Sequence, residues 1–104
     1  MTPFTGWRTP PELFDRLNQA VNGFAVDAAA SADDTLLPTF YGPGSSLGED
    51  ALVIPEWLSP AWCNPPYGRG LGRWLDKFSE QLKLGVTTVA LLPANVETEW
   101  WHEK

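Results

Sequence analysis

Ala61-Trp62-Cys63-Asn64-Pro65-Pro66-Tyr67-Gly68-Arg69-Gly70 is the stretch on whose reading the fold depends. Its first three residues are apolar and suit a short strand. Pro65 and Pro66 can neither donate to a ladder nor continue a helix, so the strand must give way to a loop at Asn64. Downstream, Leu71, Trp74, Leu75, Phe78 and Leu82 recur at helical spacing up to Gly85, and residues 86–92 are mostly apolar and β-branched. This is a strand, helix, strand unit. A crossover of that length predicts parallel pairing with a right-handed connection. The Asn64 loop then lies at a carboxyl strand end, where open α/β sheets bind their ligands.

Upstream, Thr9-Pro10-Pro11-Glu12 has the Thr-x-x-Glu spacing of a capping box with proline in the first helical position. A helix is predicted from there, with Leu13, Phe14, Leu17, Ala20 and Val21 on its apolar face, Asp15, Arg16, Asn18 and Gln19 in water, and Asn22-Gly23 as its stop. Phe24-Ala25-Val26-Asp27-Ala28-Ala29 suits a buried strand ending near Asp27, with that carboxylate at the surface and cheap to remove. Residues 31–60 are rich in Gly, Pro, Ser and Asp and read as ordered loop, with a brief strand over residues 51–54. Asp27, the Asn64 loop and Pro93-Ala94-Asn95 would end their strands at one crevice.

At 104 residues the chain has room for one domain with a single core. With 43% hydrophobic and 19% charged residues it has the composition of a folded protein. Its six Trp need packing surfaces or flat ligands, and most are expected in the core. The net charge of −6 is opposite to that of a free-standing nucleic-acid binder and counts against tight DNA binding by this chain alone. One Cys and one His exclude an internal disulfide and a Cys/His metal cluster, so no metal is expected. No apolar run approaches membrane-spanning length, and the N-terminus lacks the apolar stretch of a signal peptide, which predicts a soluble, cytoplasmic protein.

The loop suggests its own chemistry. Asn64 brings an amide oxygen, Pro65 and Pro66 bring carbonyls in a rigid frame, and Tyr67 brings an aromatic ring. These groups suit a planar base carrying an amino group: two acceptors on the amine and a ring stacked on the base. An exocyclic amine is a poor nucleophile because its lone pair is delocalised. Acceptors that favour the tetrahedral, charge-developing nitrogen would lower that barrier without a strong base.

Asn-Pro-Pro-Tyr resembles the catalytic motif of amino-group methyltransferases that use S-adenosylmethionine. Trp7-Arg8-Thr9-Pro10, Val26-Asp27-Ala28-Ala29-Ala30-Ser31, Trp62-Cys63-Asn64-Pro65-Pro66-Tyr67-Gly68-Arg69-Gly70, Leu91-Leu92-Pro93-Ala94 and Trp100-Trp101-His102 together resemble the phage-type DNA N-6-adenine-methyltransferase family. The resemblance implies a three-layer, Rossmann-like α/β sheet of the S-adenosylmethionine methyltransferase type, and DNA as the partner, its flipped-out adenine held by Asn64, Pro65, Pro66 and Tyr67. It also implies that Thr9, Pro10, Asp27, Ala29 and Asp50 border the cofactor. The sequence G-x-G-x-x-G is absent, which fits a cofactor with no pyrophosphate to cradle. The likeness stops at Lys104, where the family's sheet would continue, so the domain is expected to be cut short, with an exposed edge open to self-association.

Plainer readings stand beside these. Asn-Pro-x-Tyr also docks phosphotyrosine-binding domains, but from flexible tails, whereas here it lies between a strand and an amphipathic helix. Asp27 could cap a turn. Arg69, Arg73 and Lys77 run along one helix and suit either phosphate contact or a solvated face. Trp100 and Trp101 suit either a platform for the target strand or, more plainly, packing, while Cys63 reads as an inert core thiol and His102 as a surface residue. An RNA base, a protein glutamine, or a fold retained without turnover are the alternatives to adenine methylation.

Overall fold

Periodicity of two in the strands and 3.6 in the helices decides how the elements stack. The computed structural model describes residues 9–66 and 68–92. Helix α1 spans Pro11–Ala20, followed by β1 (Val26–Asp27), a short 3-10 helix (Ala51–Val53), β2 (Ala61–Cys63), α2 (Leu71–Lys83) and β3 (Thr88–Ala90). The strands form one parallel sheet in the order β1-β2-β3, with Asp27 opposite Trp62 and Trp62 opposite Val89. The expected parallel unit is present, with β2 buried at its centre.

Alternation across the pleat sends the strand side chains to two clusters. Trp62 faces Phe14 of α1 and Phe24, ring centroids 5.5 and 5.7 Å away, with Leu17, Val89 and Leu91 alongside. Val26, Ala28, Ala61 and Cys63 face the other way, onto Trp57, Trp74 and Val86, with Phe78 packed against them. Trp57, Trp62 and Trp74 are therefore core residues, as their number suggested, and the buried Cys63 thiol is pushed well above its ordinary pKa by that burial.

Both helix stops fall where expected. Asn22 and Gly23 take positive φ values of 62° and 98°, and the amides of Gly23 and Phe24 donate to the carbonyl and Oδ1 of Asn18. Asn18 is thus half-buried as a terminating residue and does not lie in water. The start of α1 differs from expectation. The helix is entered from Pro10, whose carbonyl accepts from Phe14 N, and no side chain caps it. Residues 51–54 are not a strand either: the Asp50 carboxylate accepts from Leu52 N at 3.0 Å and winds the chain into a 3-10 turn.

Helix α2 buries Trp74 and Leu75 of the expected apolar face, with Leu71 and Phe78 packed against the same core, but its last turn departs from that stripe. Leu82 is 71% exposed, while Gln81 is fully buried. Gln81 Oε1 accepts from Trp57 N at 2.7 Å and its Nε2 donates to the Pro55 carbonyl at 2.9 Å. The Pro55 carbonyl and the buried Trp57 amide need a donor and an acceptor at one place, which a side-chain amide supplies and a leucine cannot. Lys77 is buried as well, its Nζ 2.7 Å from Glu80 Oε1, and this hydrogen bond and charge hold the Glu80 carboxyl below its usual value. Among the described residues, no helix is long and apolar enough to cross a membrane.

Candidate active site

The carboxyl ends of β1 and β2 open on a cleft of about 260 Å³. Its floor is the small-residue run Ala28-Ala29-Ala30 that leaves β1, and its rim carries the exposed carboxylates of Glu49 and Asp50. Trp74 of α2 and Tyr41 form aromatic walls, and Pro66, leaving β2, closes one side.

A loop return builds the wall opposite α2. Asp27 N donates to the Thr39 carbonyl and Tyr41 N to the Asp27 carbonyl, so Phe40 bridges β1 in parallel. Ala30 N donates to the Tyr41 carbonyl and Ala32 N to that of Pro43, continuing the pairing past the strand. The free side of β1 is thereby covered, and Gly42 comes against the backbone of Ala30. Composition marked this segment as ordered loop. Its place in the cleft, and that of Tyr41, Gly42, Glu49 and Trp74, had no local signal beyond a Gly-Pro turn.

Of the expected cofactor residues, Ala29 and Asp50 line the cleft. Thr9, Pro10 and Asp27 are not among its lining residues. The expectation of a surface carboxylate at Asp27 is overturned: the residue is 4% exposed. Its Oδ2 accepts from Leu36 N at 3.0 Å and from Thr35 Oγ1 at 3.4 Å, and its Oδ1 from Ala29 N at 3.4 Å. These bonds pin the turn after β1 to the 35–36 segment. Burial nevertheless dominates, and it raises the carboxyl pKa above the ordinary 3.8.

The raised value gives a pH prediction. Between 3.8 and the folded-state pKa the folded protein binds more protons than the unfolded chain, so stability falls as pH rises through that window and levels off above it. Asp27→Asn removes the titration. Urea unfolding at a series of pH values should show the parent losing stability relative to the variant across this window; a constant difference would mean that Asp27 does not titrate with folding.

Asn64 is half-buried at the end of β2, followed by buried Pro65 and exposed Pro66. Asn64 Nδ2 donates to Thr9 Oγ1 at 3.2 Å, so the Thr9 hydroxyl meets the loop and not the helix end. Arg69, in the turn before α2, and Arg73, in its first turn, are both exposed. Lys77 does not join them in an exposed basic stripe, because it is buried against Glu80. The readings placed on Trp7, Arg8, Tyr67, Pro93, Ala94, Asn95, Trp100, Trp101 and His102 lie outside the described residues.

A parallel α/β sheet with a cleft at its strand ends, with Pro66 of the Asn-Pro-Pro run on its border, is the setting in which open α/β sheets bind their ligands. Residues 5–104 match the family of DNA N-6-adenine-methyltransferases (Dam), and the chain belongs to that family. It is 29% identical over 100 residues to the DNA N-6-adenine-methyltransferase of Escherichia phage T1, an alignment that covers 93% of this chain and 39% of the phage protein. The chain thus spans well under half the length of that relative. No solved structure matches it.

Proposed function

We propose that residues 1–104 form one α/β unit of the three-layer S-adenosylmethionine methyltransferase type, and that it transfers a methyl group to the exocyclic amino group of adenine in DNA. One observation carries the reading: the Asn64-Pro65-Pro66 run leaves the central strand directly beside the cleft, and Pro66 borders both. Phe14 on one sheet face and Trp74 on the other support the three layers.

The cleft suits the cofactor chemically. Three consecutive alanines leave room, aromatic walls offer flat apolar surface, and the Glu49 and Asp50 carboxylates suit ribose hydroxyls and a sulfonium charge. The volume of about 260 Å³ is just below the roughly 300–1,000 Å³ of pockets that enclose drug-sized ligands, so an open cleft of this kind would hold part of the molecule. S-Adenosylmethionine, when bound, supplies an electrophilic methyl carbon. The chain's own residues act on the amine: Asn64 Oδ1 and the Pro65 carbonyl accept its hydrogens, drawing the nitrogen toward a tetrahedral geometry, and Tyr67 stacks on the base. Methylation would leave the cofactor's sulfur as a neutral thioether, and the amino nitrogen would release one proton to solvent.

The test is transfer of labelled methyl to a duplex containing adenine, set against the same duplex with purine in place of adenine. Label confined to the adenine duplex is the expected result. Absence of label in either, at saturating cofactor, would sink the reading and favour a fold retained without turnover, which the net charge of −6 also favours. Arg69 and Arg73 are proposed to meet phosphates. Replacing both with Gln should weaken binding to all sequences alike and reduce the slope of log K against log salt by about 2. A loss restricted to one sequence would instead make them base readers.

A further inference from the structure

The hydroxyl of Thr9 is withdrawn from the use its sequence position advertises. A threonine three residues before a glutamate at a helix start ordinarily caps that helix, a contribution of about 1 kcal/mol. Here α1 has no side-chain cap, and Thr9 instead reaches a partner 55 residues away, accepting from Asn64 Nδ2. Thr9 is 9% exposed. Because a proline follows it, its backbone is confined to extended conformations, which places the hydroxyl before any ligand arrives.

The partner is the group whose orientation matters most. A side-chain amide has a donor end and an acceptor end on one small plane, and a half-turn about its last bond exchanges them. With its NH2 turned toward an amine, Asn64 would set donor against donor. With the NH2 held elsewhere, the oxygen occupies the other end of the plane. We infer that Thr9 is a positioning residue, which holds the Asn64 NH2 so that Oδ1 is presented to the substrate amino group; this rests on the adenine-amine reading above. The start of α1 then serves the loop after β2, and Thr9 acts on the rate of transfer and not on cofactor affinity.

Three measurements on the full chain test it, using Thr9→Val, which keeps the shape and loses the hydroxyl, and Thr9→Ser, which keeps the hydroxyl and loses the methyl. NMR relaxation of the Asn64 side-chain amide should give an order parameter of about 0.85 in the parent and T9S, falling below about 0.6 in T9V. The single-turnover rate at saturating cofactor and DNA should fall about a hundredfold in T9V, the cost typical of a misplaced reacting group, and stay within a few-fold in T9S. Cofactor affinity by calorimetry should change less than about twofold in both. Should T9V not melt cooperatively, T9A set against T9S asks the same question, since these two differ by one oxygen atom.

An Asn64 amide as ordered in T9V as in the parent overturns the inference. So does a T9S rate lower than that of T9V, which would mark a packing role, or a loss of cofactor affinity with the saturated rate intact, which would return Thr9 to the cofactor. A parent chain that transfers no methyl to adenine sinks the functional reading separately, and the amide order parameters then decide the Thr9 inference alone.

Discussion

Asn64→Ala is expected to lower the single-turnover rate of methyl transfer to adenine by about a hundred- to thousandfold, while S-adenosylmethionine affinity stays near the parent value. Asn64 leaves β2 at the sheet centre, and its flanking Cys63 and Pro65 are buried, so its backbone is held by the core and not by the ligand. Under the proposed mechanism the truncation removes an acceptor whose value is greatest when the amine nitrogen has become tetrahedral, and a difference between transition state and ground state appears in the rate. Losing one preorganised partner of this kind corresponds to about 2.7–4 kcal/mol of barrier. Single-turnover methylation, with calorimetry on the same preparation, separates the two quantities. A parent-like rate would remove Asn64 from the chemistry. Combining N64A with T9V sharpens the result: if Thr9 acts through the amide, T9V should add almost nothing once the amide is gone, because coupled residues are not additive.

Gly42→Ala is expected to destabilise the fold by about 3–5 kcal/mol, enough to unfold a domain of ordinary marginal stability. Gly42 has φ 145°, and a Cβ there would lie 1.6 Å from the Ala30 carbonyl oxygen and 2.6 Å from its carbon. Both are backbone atoms, so no rotamer change relieves the clash. Only parting the 39–43 segment from the 27–32 segment would, and that breaks the pairing of Ala30 N with the Tyr41 carbonyl and of Ala32 N with the Pro43 carbonyl. The same movement opens one wall of the cleft, so any variant that remains folded should also bind cofactor poorly. Gly72 supplies the control: it lies within α2, where a Cβ would meet nothing within 4 Å, and Gly72→Ala should stabilise by about 0.5–1 kcal/mol. Urea unfolding of the three proteins is the measurement. A Gly42→Ala variant within about 1 kcal/mol of the parent would mean that the loop does not approach β1 as closely as described.

The amino-acid sequence by itself determined the parts that depend on near neighbours. Prolines at 65 and 66 end β2, Asn22-Gly23 and Gly85 end the helices, and the apolar period through Trp74 and Phe78 places a helix between two parallel strands. Such features follow from φ restrictions and side-chain spacing that act within a few residues, and they are enough to put the Asn64 loop at a carboxyl strand end. Where a local rule meets a distant partner, the tertiary structure decides. Thr9 is spaced as a cap but bonds Asn64. Leu82 fits the apolar stripe, yet Gln81 is buried because the 55–57 backbone needs both a donor and an acceptor. Asp27 has the sequence setting of a surface residue and instead holds the 35–36 segment, while Gly42 completes a wall against Ala30. Each of these depends on which loop lies against which strand. That arrangement is set by burial and by pairing of polar groups across 8 to 55 residues of chain, distances over which neither period nor propensity carries information.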